Sequence, residues 1–223
     1  MTSSSAVPYR MPDAASVPDG GTTWKINPHR SALLVQHMQK HVLRTLRETA
    51  PVGELLANIG RLVHCARASD IPVLYVTRAP GQRLDGTDRP GPATLMAAPP
   101  GPLADGDARA FAEVLQPQPG DTVLTAKRYN AFAGTRLRSR LTELGRDQLV
   151  VVGAAARTDV LLTAADAWMQ DLQPVVVADA VADRTADAHA MAVDWLAATC
   201  SMVTVTDSAA DAFRGRSAAA VAV

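Results

Sequence analysis

Chemically capable residues in this 223-residue chain gather at the ends of four apolar runs. Gln36 and His37 close the first run, which begins at Ser31. An unperturbed imidazole titrates near pH ~6.5, so a histidine there suits giving or taking a proton. Thr77-Arg78 closes the second run and Ala126-Lys127 the third. The fourth, Val150-Val151-Val152, leads into Gly153-Ala154-Ala155-Ala156-Arg157-Thr158-Asp159. Arg78 and Arg157 carry a fixed, forked charge suited to a substrate carboxylate or phenolate. The plainer alternative for them is a structural ion pair, Arg157 with Asp159 being the nearest. Asp159 also has two readings. A carboxylate in a first helical turn is favoured by the helix dipole, so a cap is the leading role and a catalytic or ligand-binding one the alternative. His29, His41, His64 and His189 are expected on the surface or on helix faces.

These ends need elements to hold them. Strands are expected over 31–37, 72–77, 122–126, 148–153, 174–178 and 201–206, where short apolar runs are bounded by turn residues. Between them lie helical patterns. Leu55, Leu56, Ile59, Leu62, Val63 and Ala66 mark one over 52–68. Leu137, Leu141 and Leu144 mark another, ending at Gly145. Residues 158–171 form a third, and Ala188, Met191, Ala192, Trp195 and Thr199 give a fourth its buried face. A short helix is expected over 108–115. Residues 78–106 form a long loop rich in glycine and proline, of a length that is usually functional or mobile. Strands alternating with helices imply a three-layer α/β/α fold with a mainly parallel six-stranded sheet, whose ligands sit at the carboxyl ends of the strands. Residues 1–27 read as an extended arm, 28–207 as one domain and 208–223 as a flexible, alanine-rich tail.

Lysine plus arginine and aspartate plus glutamate number 22 each, for a formal net charge of +0. No basic field is present to attract nucleic acid or an anionic membrane. Apolar residues make up 48% of the chain, enough for a sizeable core. No apolar run approaches the ~20 residues of a membrane span. The first residues lack the apolar stretch of a secretory signal, so a cytoplasmic protein is expected. The only two cysteines, Cys65 and Cys200, have no metal or redox spacing and read as core thiols. No cofactor or metal motif occurs. The expected partner is a small-molecule substrate.

Several blocks, in order, resemble the isochorismatase-like hydrolases, and among them the branch that cleaves isochorismate or 2-amino-2-deoxyisochorismate in siderophore and phenazine pathways. They include Pro8-Tyr9-Arg10-Met11-Pro12, Ala32-Leu33-Leu34-Val35-Gln36-His37-Met38-Gln39 and Arg128-Tyr129-Asn130-Ala131-Phe132. Gly145-Arg146-Asp147-Gln148-Leu149, Asp166-Ala167-Trp168-Met169-Gln170-Asp171 and Val177-Ala178-Asp179-Ala180-Val181-Ala182-Asp183 complete the match. The resemblance spans roughly residues 8–207. It implies that the family's acid/base aspartate is replaced by His37 and its lysine by Ala126, with Lys127 one place later. A strand alternates faces, so Lys127 is not a direct substitute. The nucleophilic cysteine of the wider family, or the glycine of this branch, becomes Asp159, and a substrate-contacting tyrosine becomes Ala155. Arg128, Tyr129 and Phe132 would line and position the pocket, and Asp179 and Asp183 would organise turns. The arm resembles ones that wrap a neighbouring subunit, which implies a homodimer or larger assembly.

Three functions are compatible with this pattern. The first is a divergent enzyme of secondary, antibiotic-type metabolism. It would use His37 for acid/base chemistry (hydrolysis, elimination, rearrangement or cyclisation) on a cyclic or aromatic intermediate larger than isochorismate. Gln36, Arg78, Ala126, Lys127, Phe132, Ala155, Arg157 and Asp159 would bind that substrate, with no metal or cofactor. The second is a non-catalytic relative that binds a small molecule or partner. The third retains vinyl-ether hydrolysis with release of pyruvate. Cysteine amidase chemistry is not expected, because neither cysteine lies at a strand end.

Overall fold

The computed structural model describes residues 8–78 and 110–215. It contains strands β1 (Ser31–Gln36), β2 (Val73–Arg78), β3 (Thr122–Ala126), β4 (Gln148–Ala154), β5 (Gln173–Ala182) and β6 (Met202–Thr204). The helices are α1 (Lys40–Leu46), α2 (Val52–Ala68), α3 (Leu137–Glu143), α4 (Leu161–Met169), α5 (Ala186–Thr199) and α6 (Thr206–Phe213). A five-residue π-turn, Ala156–Val160, precedes α4.

The strands form one parallel sheet in the order β3-β2-β1-β4-β5-β6. Chain order reverses between β1 and β4, so the crevice beyond their carboxyl ends is the topological switch point where such sheets take ligands. Side chains alternate across the sheet. Leu33, Val35, Val150 and Val152 enter the layer with α1, α2 and α6. Ala32, Leu34, Leu149 and Val151 enter the layer with α3, α4 and α5. Both faces of the central strands are covered, which is why their sequences read as unbroken apolar runs.

Residues 110–112 are not helical, although a helix was expected over 108–115. Phe111 pairs with Gln39 across an isolated antiparallel bridge and packs edge-on against Tyr75, leaving only a single 3₁₀ turn, Glu113–Leu115. The helical pattern from residue 158 begins two residues earlier, in the π-turn. β5 extends past the expected 178, with a register shift against β4 between Val151 and Gly153. The tail expectation is corrected over 208–213: Ala209, Ala210 and Phe213 of α6 are buried against the α2 layer. The arm lies on its own domain, where Trp24 stacks on Trp168 at 5.6 Å. No helix among the described residues is long and apolar enough to cross a membrane. The expected long loop lies outside the described residues except at Arg78, whose backbone ends β2.

Candidate active site

The site begins with a close approach of two backbones. Gln36 of β1 and Gly153 of β4 are register partners. A Cβ on Gly153 would lie 2.1 Å from the Gln36 carbonyl oxygen, and its φ is +130°. Glycine is the residue that fits there without moving a strand. The chain then turns sharply on both sides of the crevice. His37 (φ 53°) and Ala155 (φ 62°) both adopt the left-handed conformation. Each such non-glycine residue costs on the order of 1–3 kcal/mol, a kind of strain that concentrates at functional sites.

These turns aim two side chains at each other. His37 Nε2 lies 2.9 Å from Asp159 Oδ1, and the two side chains are 2% and 0% exposed. The separation is that of an ion pair, but the ring N–H axis is not aligned on the oxygen. Both ring nitrogens therefore lack an aligned hydrogen bond. The His37 backbone N–H donates to the Val76 carbonyl, which ties the turn to β2. Thr158 Oγ1 donates to Asp159 Oδ2 at 2.7 Å, loading the second carboxylate oxygen.

Asp159 is not the cap expected of it. Ala155 holds the N-cap position of the π-turn and Val160 that of α4. The capping carboxylate comes from another strand. Asp183, just beyond β5, accepts the Arg157 backbone N–H on Oδ2 at 2.8 Å and the Arg184 N–H on Oδ1 at 2.7 Å. This agrees with the turn-organising role expected of Asp183. Asp179 acts similarly at the start of α6, accepting both the backbone N–H and the hydroxyl of Thr206. Burial raises the Asp179 pKa above the usual carboxylate value.

Gln36 is fully buried, and its amide Nε2 donates to Thr163 Oγ1 at 2.9 Å. Thr163 Oγ1 also accepts the Ala131 N–H at 2.9 Å. This hydroxyl ties β1 to the loop carrying Phe132 and is absent from the residues expected above to form the site. Its four-residue spacing from Asp159 on a continuous helical path was the available signal. Gln36 Oε1 has no hydrogen-bond partner despite its burial.

The other expected site residues divide clearly. Ala126 and Phe132 are buried in the α3–α5 layer, and Ala155 is buried at the turn. Neither alanine methyl opens onto solvent. Lys127 is exposed. The aliphatic stem of Lys127 runs beside Gly134, so it does not take the inward place of Ala126. Arg157 is exposed, and the Arg157–Asp159 pair considered above gives way to His37–Asp159. The Arg78 side chain lies outside the described residues. Of the remaining histidines, His29 and His64 are exposed, whereas His41 and His189 lie on buried faces of α1 and α5. Cys65 and Cys200 are buried free thiols in or beside the last turns of α2 and α5. Those turns lie toward the amino ends of the strands, away from His37. Among the described residues no group of three histidine, cysteine, aspartate or glutamate side chains could hold a metal ion.

Known proteins agree with this architecture. The isochorismatase domain matches residues 31–209. The chain is 38% identical to the phenazine biosynthesis protein PhzD of Pseudomonas fluorescens over 203 residues, covering 91% of this chain and 96% of that protein. It is 36% identical to the isochorismatase of Bacillus subtilis (strain 168) over 209 residues, covering 92% of this chain and 64% of that protein. An isochorismatase family protein from Burkholderia thailandensis superposes with a TM-score of 0.71 at 27% identity, covering 85% of this chain and 97% of that chain. A cysteine hydrolase from Pseudomonas syringae pv. phaseolicola, at 22% identity and a TM-score of 0.72, shares the fold. With the sheet order and these matches in agreement, the chain belongs to the isochorismatase domain family.

Proposed function

We propose that this protein is an enzyme of secondary metabolism that performs acid/base chemistry with His37, oriented and charge-balanced by Asp159. The observation carrying this reading is the 2.9 Å approach of His37 Nε2 to Asp159 Oδ1 at the switch point. A carboxylate beside Nε2 balances the charge of a protonated imidazole, and Nδ1, buried in this structure, is the nitrogen left for a substrate. Protonated, Nδ1 would deliver a proton to a carbon or a leaving oxygen. In its neutral form it would accept one from water or from an acidic carbon. For an enol ether, protonation of the vinyl carbon gives an oxocarbenium ion. Water then adds to form a hemiketal, and collapse of the hemiketal separates an alcohol from a ketone. Such a positioned acid or base is worth roughly 10²–10⁴-fold in rate.

The substrate is a cyclic or aromatic intermediate, and its extension beyond isochorismate rests on Ala126 and Ala155 standing where the resemblance implies a lysine and a tyrosine. The reaction uses no metal or cofactor in this reading. The protein acts as a cytoplasmic homodimer or larger assembly, a reading supported by the exposed Trp168, Met169 and Trp195 on α4 and α5. Light scattering of the purified chain tests the assembly.

A second reading draws on the near-complete burial of the same pair: His37 and Asp159 would form a structural link in a non-catalytic binding protein. One experiment separates the two. The protein is incubated with isochorismate, 2-amino-2-deoxyisochorismate and ring-extended derivatives of both, with substrate loss followed by mass spectrometry and pyruvate by a coupled assay. Consumption of extended substrates that disappears in His37→Ala supports the enzyme. Binding without consumption of any compound supports the second reading. Pyruvate release from the unextended compounds restores ordinary vinyl-ether hydrolysis as the activity.

A further inference from the structure

The arm residue Tyr9 and the helix residue His189 lie outside the proposed chemistry, yet both are tied to the turn that carries Asp159. The Tyr9 hydroxyl donates to the Asp183 carbonyl oxygen at 3.2 Å, accepts the Asp183 backbone N–H at 3.1 Å and lies 3.1 Å from His189 Nδ1. His189 Nε2 sits 2.9 Å from the Ala178 carbonyl oxygen. A carbonyl only accepts, so Nε2 carries the proton. Burial lowers the His189 pKa, which keeps the ring neutral and leaves Nδ1 bare. The one Tyr9 hydroxyl proton has two acceptors in reach, the Asp183 carbonyl oxygen and the bare Nδ1. Burial also pushes the Tyr9 hydroxyl up to about 12, so it remains a phenol able to donate.

The chain of bonds continues into the site. Tyr9 holds the backbone of Asp183, and His189 holds Tyr9. The Asp183 carboxylate holds the Arg157 N–H at the second position of the π-turn. Within the same turn the Asp159 N–H donates to the Ala155 carbonyl at 2.8 Å. A π-turn is a rare, wide geometry that an unsupported chain would tighten into an α-helix. Loss of the Asp183 contact would free the turn that holds Asp159 against His37.

We propose that Tyr9, His189 and Asp183 are positioning residues: they pin the π-turn in the form that presents Asp159 to His37, and so make the amino-terminal arm part of the active site's architecture. The inference rests on the His37–Asp159 pair being the working pair, but its test reads geometry and not turnover. The full chain, labelled with ¹⁵N-histidine, is examined by NMR for the His37 ring resonances, with Asp159→Ala giving the signature of a lost partner. Asp183→Ala is expected to move the His37 resonances at least halfway to that signature. Asp183→Asn keeps an oxygen for the Arg157 N–H but turns its amide NH2 toward the Arg184 N–H, and is expected to restore part of the wild-type position. Tyr9→Phe and His189→Ala are expected to give smaller shifts in the same direction. Arg30→Ala, which breaks the exposed Arg30–Asp147 pair, should leave His37 unmoved.

Wild-type His37 resonances in a folded Asp183→Ala protein would overturn the proposal. If that variant does not fold, Tyr9→Phe decides, since it removes only a hydroxyl: an unmoved His37 in that protein overturns the proposal equally. A catalytically idle His37 whose resonances still respond to these variants would sink the proposed chemistry and leave the positioning network standing.

Discussion

Asp159 lies beyond β4 and Asp183 beyond β5, and both carboxylates serve the same five-residue π-turn. Asp183 accepts two backbone N–H groups and meets the turn from outside. Asp159 is carried by the turn, receives the Thr158 hydroxyl and faces His37. The two residue types are identical and their surroundings are similarly buried, so their different contacts follow from position. With the orphan N–H at the start of the turn satisfied by a neighbouring strand, the carboxylate inside the turn is released for another task. This difference sets Asp159 opposite His37, where its place in the sequence favours a cap over the ligand-binding or catalytic alternative.

The harshest way to break the comparison is to open the seam that brings β1 and β4 together. Gly153→Ala would place a Cβ against the Gln36 carbonyl in a backbone conformation that side chains avoid. Its cost is expected to exceed about 4 kcal/mol, the range of exceptional substitutions. Denaturant unfolding measures it, and a loss below about 1 kcal/mol would show that the strands slide apart easily.

His37→Ala comes next. It takes the imidazole from the buried Asp159 carboxylate, and removal of one member of a buried pair typically costs about 3–5 kcal/mol. Asp159→Ala should cost distinctly less, because a neutral imidazole tolerates burial better than a carboxylate. Equal losses in chemical denaturation would contradict the pairing. Asp183→Ala should cost about 1–2 kcal/mol, the worth of a helix cap. A loss as large as that of His37→Ala would erase the distinction between the two carboxylates.

The smallest effect is a pH slope. The folded His189 pKa lies below its unfolded value, because burial disfavours the charged ring. On acidification the unfolded chain binds a proton first, near pH ~6.5, so stability falls from there down to the folded pKa and then levels. The contribution is fully present above the unfolded value. His189→Gln should flatten that part of the stability–pH profile, and an unchanged slope would assign it to another group.

The sequence made the frame legible where packing is one-dimensional. Residues 52–68 and 122–126 were read with the bounds the structure shows, because apolar spacing and flanking turn residues both mark them. The α6 helix was missed because alanine gives little apolar signal, although Ala209 and Ala210 pack closely for that very reason. The π-turn leaves no periodic trace in five residues. In the site, His37 and Asp159 were both singled out, but their contact depends on two left-handed turns and the approach at Gly153. The capping role of Asp183 depends on strand order, which no local pattern encodes.

The central claim is that His37 and Asp159 are the reacting pair. It is tested most directly by comparing the wild-type protein with His37→Gln and Asp159→Asn on the ring-extended 2-amino-2-deoxyisochorismate derivatives, with each variant first shown to be folded. The account predicts measurable consumption by the wild type. It predicts a loss of roughly 10²-fold or more in His37→Gln and a smaller loss in Asp159→Asn. Turnover by His37→Gln at the wild-type rate, or binding by the wild type with no turnover at all, would contradict it.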